Sequence, residues 1–260
     1  MNRSEFIEDL SAIPSPPFFG ARVIDIPLQE LYAMLNLPAL YRVGWGAKNA
    51  SGEKWDEYTR DFSARLEKLK SDQEQDPWLM PRAAYGYWTC AAQDEAILLY
   101  PQDGDKPISF PVPRQNYGKR LSLTDYFAPA GAAVRDVAAL QLVTVGRSAV
   151  EHVHKLNANG DLVEAFFAHG LAVQLTETAA RWVHQRIRGE LGIGPKQGRR
   201  YSWGYPPIPD LTQETEVVRL LKAKEYLDIE LTSGFQFVPE FSTAALVVHH
   251  PQAVYFRIDE

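Results

Sequence analysis

Seven apolar residues spaced four apart, Phe167, Leu171, Leu175, Ala179, Val183, Ile187 and Leu191, mark one face of a helix predicted over 161–191. It is the strongest periodic signal in the chain. Gly192, Gly194 and Pro195 end it. The next stretch, 198–210, reads Gly-Arg-Arg-Tyr-Ser-Trp-Gly-Tyr-Pro-Pro-Ile-Pro-Asp. Pro206, Pro207 and Pro209 forbid a helix there and favour a stiff, extended loop. Tyr201, Trp203 and Tyr205 alternate with small or polar residues. Gly204 lets a ligand approach the backbone closely, and Arg199 and Arg200 offer planar forks for a carboxylate or phosphate. Two readings fit: a loop pinned to a core by its aromatics, or one wall of a binding site.

Other elements follow from local pattern. Pro27 opens a helix whose apolar stripe is Leu28, Leu31, Tyr32 and Leu35, with Asn36 and Pro38 ending it. Trp55, Tyr58, Phe62, Leu66 and Leu69 share one face of a helix over about 55–72. Ala84–Cys90 and Ala96–Tyr100 form an antiparallel hairpin broken at Gln93-Asp94. A second break at Asp103-Gly104-Asp105 precedes the strand Ile108–Val112. Leu121–Pro129 is a short helical turn, Val137–Val145 a buried central strand and Ser148–Leu156 a helix. Asp210 or Thr212 caps a helix running to about Leu227. Strands are expected at Asp228–Thr232, Phe235–Val238, Thr243–His249 and Val254–Ile258. Helices and strands come in clumps rather than in βαβ alternation, so the fold class is α+β with a largely antiparallel sheet. Residues 1–13 are read as an N-terminal arm and 14–260 as one domain.

Composition excludes several functions. A net charge of −6 over 260 residues argues against binding along a nucleic-acid backbone. The longest apolar runs, near Val137–Val145 and Ala244–Val248, are too short for a bilayer span of about 20 residues. The N-terminus lacks the apolar stretch of a signal peptide. The single cysteine, Cys90, rules out an intrachain disulfide and suits a reducing cytoplasm.

Common catalytic signatures are absent. Gly192, Gly194 and Gly198 are wrongly spaced for a dinucleotide loop and follow a helix. There is neither a Walker A loop nor a Gly-x-Ser-x-Gly elbow. The pairs His152/His154 and His249/His250 cannot share a helical face, so partly exposed surface histidines are expected rather than a metal site. Glu177 lies off the main stripe of its helix, on the Val173/Ala180/His184 side. Arg181 stands four residues on, so a local salt bridge is expected.

At 200–209 the pattern Arg-x-x-x-Gly-Tyr-Pro-x-x-Pro resembles the S-adenosylmethionine loop of the C-terminal reactivation domain of cobalamin-dependent methionine synthase. Further segments resemble that family in the same order: Pro17–Val23, Ala39–Trp45, Leu121–Pro129, Glu230–Thr232, Pro239–Thr243 and His249–Phe256. The resemblance covers roughly residues 14–260. It implies one C-shaped α+β domain around a twisted antiparallel sheet flanked by helices. It also implies a role in reactivation, in which one electron from a flavodoxin or ferredoxin and a methyl group from S-adenosylmethionine convert cob(II)alamin to methylcobalamin. The cobalamin would be carried by the partner, a truncated methionine synthase on which a chain complete from Met1 would act in trans. The chemistry would occur at the partner's cobalamin, so no catalytic or metal-binding residue is assigned here.

The same resemblance implies the site residues. Arg200 would fork onto the ligand's carboxylate and Glu177 would pair with its ammonium. Ser202 and Gly204 would hold it through their backbone, while Tyr205 would face both ligand and cobalamin. Tyr255 would contact the ligand from the C-terminal segment. Asn36 stands where the family has a ligand-binding aspartate, and Tyr201-Ser202-Trp203 replaces a Pro-Ala-Pro, which would reshape the adenine pocket. Two other readings use the same surface: a non-catalytic module that docks on or protects a corrinoid protein, and a methyl-donor module for a different corrinoid methyltransferase.

Overall fold

The computed structural model describes residues 3–10, 12–102 and 106–259, so the expected break at Asp103-Gly104-Asp105 lies outside the described residues. The strands are β1 (Gly20–Asp25), β2 (Arg82–Gln93), β3 (Ala96–Tyr100), β4 (Ile108–Pro111), β5 (Asp136–Thr144), β6 (Arg199–Tyr201), β7 (Glu230–Leu231), β8 (Phe237–Val238) and β9 (Ser242–Val248). The helices are α1 (Leu28–Met34), α2 (Leu37–Ala39), α3 (Glu53–Gln75), α4 (Arg147–Ala158), α5 (Leu162–Glu190), α6 (Glu214–Leu220) and α7 (Ala223–Leu227). A π-helical turn, Leu40–Gly44, follows α2.

Seven strands form one sheet in the order β4-β3-β2-β5-β9-β6, with β1 on the free half of β2's outer edge. Every strand pairing in it is antiparallel. β5 is buried at all nine positions, because both of its faces are covered. Alternation divides the core accordingly. Tyr85, Tyr87, Val137, Ala139 and Val247 face the layer that holds α3, α4 and α5. Trp88, Cys90, Leu140, Leu142 and Leu246 face a second layer that includes Tyr126, Val217, Leu221 and Leu227. The architecture is α+β, a largely antiparallel open sheet flanked by helices.

Four expectations need correction. Gly20–Asp25 is a strand, held against Arg82–Tyr87, although its segment reads as irregular because Pro16, Pro17 and two phenylalanines precede it. Arg199–Tyr201 is an edge strand rather than loop. The helix expected to reach Leu227 is broken in two at Lys222, whose backbone is left-handed (φ 49°). Val254–Ile258 forms no strand; partners from elsewhere hold its backbone, Tyr201 Oη donating to the Val254 carbonyl (2.6 Å) and Gln115 Nε2 to that of Arg257 (2.6 Å).

The arm is tied down where it is described. Arg3 and the Ser4 amide donate to Asp125, and His250 Nε2 lies 3.1 Å from the Glu8 carbonyl. Asp125 is fully buried and also takes a two-pronged bond from Arg114, both contacts at 2.8 Å. The arm and the Leu121–Pro129 turn therefore meet at one buried carboxylate, and the C-terminal segment meets the arm at Glu8.

The close approach of the start of β1 to β2 depends on Gly86. A methyl group there would overlap the Gly20 carbonyl oxygen, which is backbone and cannot step aside. Gly86→Ala is expected to lower unfolding stability by about 1–3 kcal/mol. Gly131→Ala, where a methyl group meets nothing within 4 Å, should stay within about 0.5 kcal/mol of the parent. Urea midpoints compared at unchanged slope check both.

Candidate functional site

The site is built on β6. Arg199, Arg200 and Tyr201 lie opposite Val248, Val247 and Leu246 of β9. Side chains alternate along a strand, so the register sends Tyr201 into the core beside Leu246 and Arg200 to the opposite face, toward α5. There Arg200 Nη2 meets Glu177 Oε2 at 2.8 Å. The expected Glu177–Arg181 bridge gives way to this contact, while Arg181 donates to the Met34 carbonyl. Helical geometry brought Glu177 and Arg181 close in sequence, but tertiary partners took each of them.

Beyond Tyr201 the loop is anchored from inside. Tyr201 and Trp203 are buried. Trp203 Nε1 donates to Gln213 Oε1 (3.2 Å), and its indole packs against Phe110 at a centroid distance of 6.2 Å. Burial pushes the Tyr201 phenol well above its ordinary pKa. Gly204 has φ +78°, a conformation that disfavours any other residue, and its amide donates to the Ile208 carbonyl. The Ile208 amide returns a bond to the Tyr205 carbonyl, closing a tight turn over Pro206 and Pro207. Of the three loop aromatics, only Tyr205 points outward, 65% exposed.

A cleft of about 620 Å³ opens here. Glu177, Arg200, Tyr201, Ser202, Tyr205 and Tyr255 line it, with Pro206, Pro207, Thr243, Phe256 and Arg257. Tyr255 is as exposed as Tyr205, and its ring meets Tyr201 edge to face at 5.5 Å. β6 covers only Leu246–Val248 of β9, and Thr243 reaches the cleft where that cover stops. Five of the seven residues named from the sequence thus converge: Glu177, Arg200, Ser202, Tyr205 and Tyr255. Gly204 shapes the turn without lining the cleft. Asn36 is elsewhere; its Oδ1 accepts the Ala39 amide (3.1 Å), capping α2 on an exposed surface. Trp203, expected to reshape the pocket, belongs to the core. Thr243, Phe256 and Arg257 were not named as site residues, although Thr243 and Phe256 fall in family-like segments; the pairing of β6 on β9 and the course of the C-terminal segment bring them in.

Two further cations gather next to β6, outside the cleft lining. Arg188 Nη2 and Arg199 Nη1 both donate to the Gly198 carbonyl, at 3.1 and 2.7 Å. His184, one further face-repeat along α5 from Glu177, is buried and its Nε2 has no hydrogen-bond partner. Burial, reinforced by Arg188, Arg200 and Arg199, lowers its pKa to about 3.

Of the other histidines, His154 is exposed, as expected, and His249, His250 and His152 pack into the fold. His249 and His250 are buried, contrary to the exposed positions expected of them. His249 Nε2 sits 2.6 Å from Asp136 Oδ1, and His152 stacks on Trp78. Among the described residues, no three His, Cys, Asp or Glu side chains are placed to share a metal ion, and no helix is long and apolar enough to cross a membrane.

Residues 32–260 match the family model described as vitamin B12 dependent methionine synthase, activation domain. The chain is 28% identical to methionine synthase of Mycobacterium tuberculosis (strain ATCC 25618 / H37Rv) and 27% identical to that of Mycobacterium leprae (strain TN). Each alignment covers 98% of this chain and 24% of the relative, so the chain spans about a quarter of their length. In fold it matches the crystal structure of the MetH reactivation domain bound to AdoHcy, with a TM-score of 0.84 at 20% identity, over 95% of this chain and 83% of that one.

His184 gives the site a pH signature. Its folded pKa lies below its unfolded value near 6.5. Between those two values the unfolded chain holds the extra proton, so the contribution of His184 to stability falls as pH drops from 6.5 toward 3. His184→Gln should flatten the stability–pH curve in that window, as measured by urea unfolding at successive pH values.

Proposed function

This chain belongs to the family of vitamin B12 dependent methionine synthase activation domains, and we propose on that premise that its cleft binds S-adenosylmethionine and presents the methyl group to a partner's cobalamin. The carrying observation is the juxtaposition of Arg200 and Glu177 at 2.8 Å beside two exposed tyrosines in one cleft. An amino-acid head carries one carboxylate and one ammonium. Arg200 offers a planar fork to the first, and Glu177 a carboxylate to the second. Tyr205 and Tyr255 supply aromatic faces on which an adenine can stack. Ser202 and the stiff turn after Gly204 fix the wall between them. A volume of about 620 Å³ falls within the range of small-molecule sites.

The reaction this reading serves adds one electron to cob(II)alamin to give cob(I)alamin. The cobalt then takes the methyl group while the sulfur keeps the electron pair of the broken bond, leaving methylcobalamin and S-adenosylhomocysteine. The protein's own part is to bind, orient and expose the donor. The partner is a cobalamin-binding domain of methionine synthase, and the electron comes from a flavodoxin- or ferredoxin-type donor. Tyr205 stands at the outer rim, where a docked cofactor would arrive. A role as a docking module without ligand is the alternative on the same surface, and ligand binding separates the two.

Calorimetry is expected to show S-adenosylmethionine binding, with Arg200→Ala raising Kd about 10- to 150-fold, the equivalent of about 1.5–3 kcal/mol for a hydrogen bond to a charged group. No heat at millimolar ligand would leave only docking. In reconstitution, this protein, a methionine synthase lacking its C-terminal domain, S-adenosylmethionine and a reductant are expected to convert cob(II)alamin to methylcobalamin, followed by its absorption spectrum.

A further inference from the structure

The ionised side chains lining the cleft are Glu177, Arg200 and Arg257. The first two neutralise each other. Arg257 has no carboxylate partner among the described residues. Its backbone is fixed, since its carbonyl accepts from Gln115 Nε2 (2.6 Å) and Tyr117 Oη (3.5 Å), so the side chain starts from a set point on the rim. The cleft therefore has a surplus positive charge. Arg188 and Arg199, outside the cleft lining, add further positive charge next to β6, where both donate to the Gly198 carbonyl. Arg188, Arg200 and Arg199 also contribute, after burial, to the lowered pKa of His184.

We propose that Arg257 is a specificity-determining residue that sets the cleft against a sulfonium and in favour of the neutral thioether left after methyl loss. The inference rests on the proposed S-adenosylmethionine reading. S-adenosylmethionine and S-adenosylhomocysteine share the zwitterionic head, ribose and adenine, so Arg200, Glu177 and the tyrosines treat them alike. They differ by one methyl group and one positive charge. A like charge in the same cleft penalises only the sulfonium. The occupied site is thus more comfortable after the methyl group has left than before, and the spent ligand competes with the fresh one.

The experiment measures Kd for both ligands by calorimetry on the parent protein, Arg257→Gln and Arg257→Lys, at low and high salt. The informative quantity is the ratio of the sulfonium Kd to the thioether Kd. Arg257→Gln is expected to lower that ratio about 3- to 10-fold, the effect of one charge about 8 Å away at an effective dielectric between protein surface and water. Arg257→Lys should keep the parent ratio. Raising salt should shrink the ratio in the parent more than in Arg257→Gln. A ratio unchanged within about twofold in Arg257→Gln overturns the inference while leaving the binding reading intact. Failure of the parent to bind either ligand overturns both.

Discussion

A three-residue edge strand, Arg199–Tyr201, is the contact on which the site depends. Its register against Val248–Leu246 assigns each side chain a face. Tyr201 goes inward and becomes part of the second core, where its hydroxyl holds the C-terminal segment at Val254. Arg200 goes to the other face and finds Glu177 on α5. A slip of one residue would exchange these roles, burying a guanidinium and exposing a phenol. Gly198 supports the register. With φ +73° and a Cβ position overlapping the Val248 carbonyl, it lets the chain run close against β9.

The cleft is stiff for reasons remote from it. Trp203 is locked by Gln213, whose own amide nitrogen donates to the Pro111 carbonyl at the end of β4. The other wall, Tyr255–Arg257, follows a buried histidine pair: His249 on Asp136 and His250 on the arm at Glu8. The arm in turn is held by Asp125, which Arg114 neutralises. Two exposed tyrosines thus stand on supports that reach both edges of the sheet. That is how a surface ring keeps a defined orientation without packing of its own.

Elements with long, regular patterns were legible in the sequence. Helix α5, strand β5 and the β2–β3 hairpin needed only periodicity and turn residues. Of the short paired elements, β4, β7 and β8 were legible and β6 was not. β6 is Arg-Arg-Tyr, too brief and too charged to show a strand period; β9 makes it a strand by offering an open edge. Val254–Ile258 has the composition of a strand and lacks a free edge, so side chains from 115–117 and 201 satisfy its backbone instead. Of the site, the residues with a motif converge: Arg200, Ser202 and Tyr205 from the loop, with Glu177 and Tyr255 joining through the resemblance. Asn36 was placed through the resemblance without a local motif, and its side chain caps α2 outside the cleft lining. Thr243 was read only as strand and family segment and Arg257 not as a site residue, because their place in the cleft is a consequence of topology.

The Glu177–Arg200 contact also constrains what can enter. Within the cleft the two charges are partners, and Arg200 is mostly shielded from water, its side chain 20% exposed. A ligand with only a carboxylate would take Arg200 and leave Glu177 without its cation. One with only an ammonium would do the reverse. Each exchange forfeits about as much as it gains, since hydrogen bonds to charged groups are of similar strength on both sides. A zwitterionic α-amino acid head satisfies both residues at once, so the opened pair is replaced by two new ones. On the proposed reading, selectivity for that head comes from the pair's being closed beforehand, and the surplus charge of Arg257 then acts on whatever the head carries behind it.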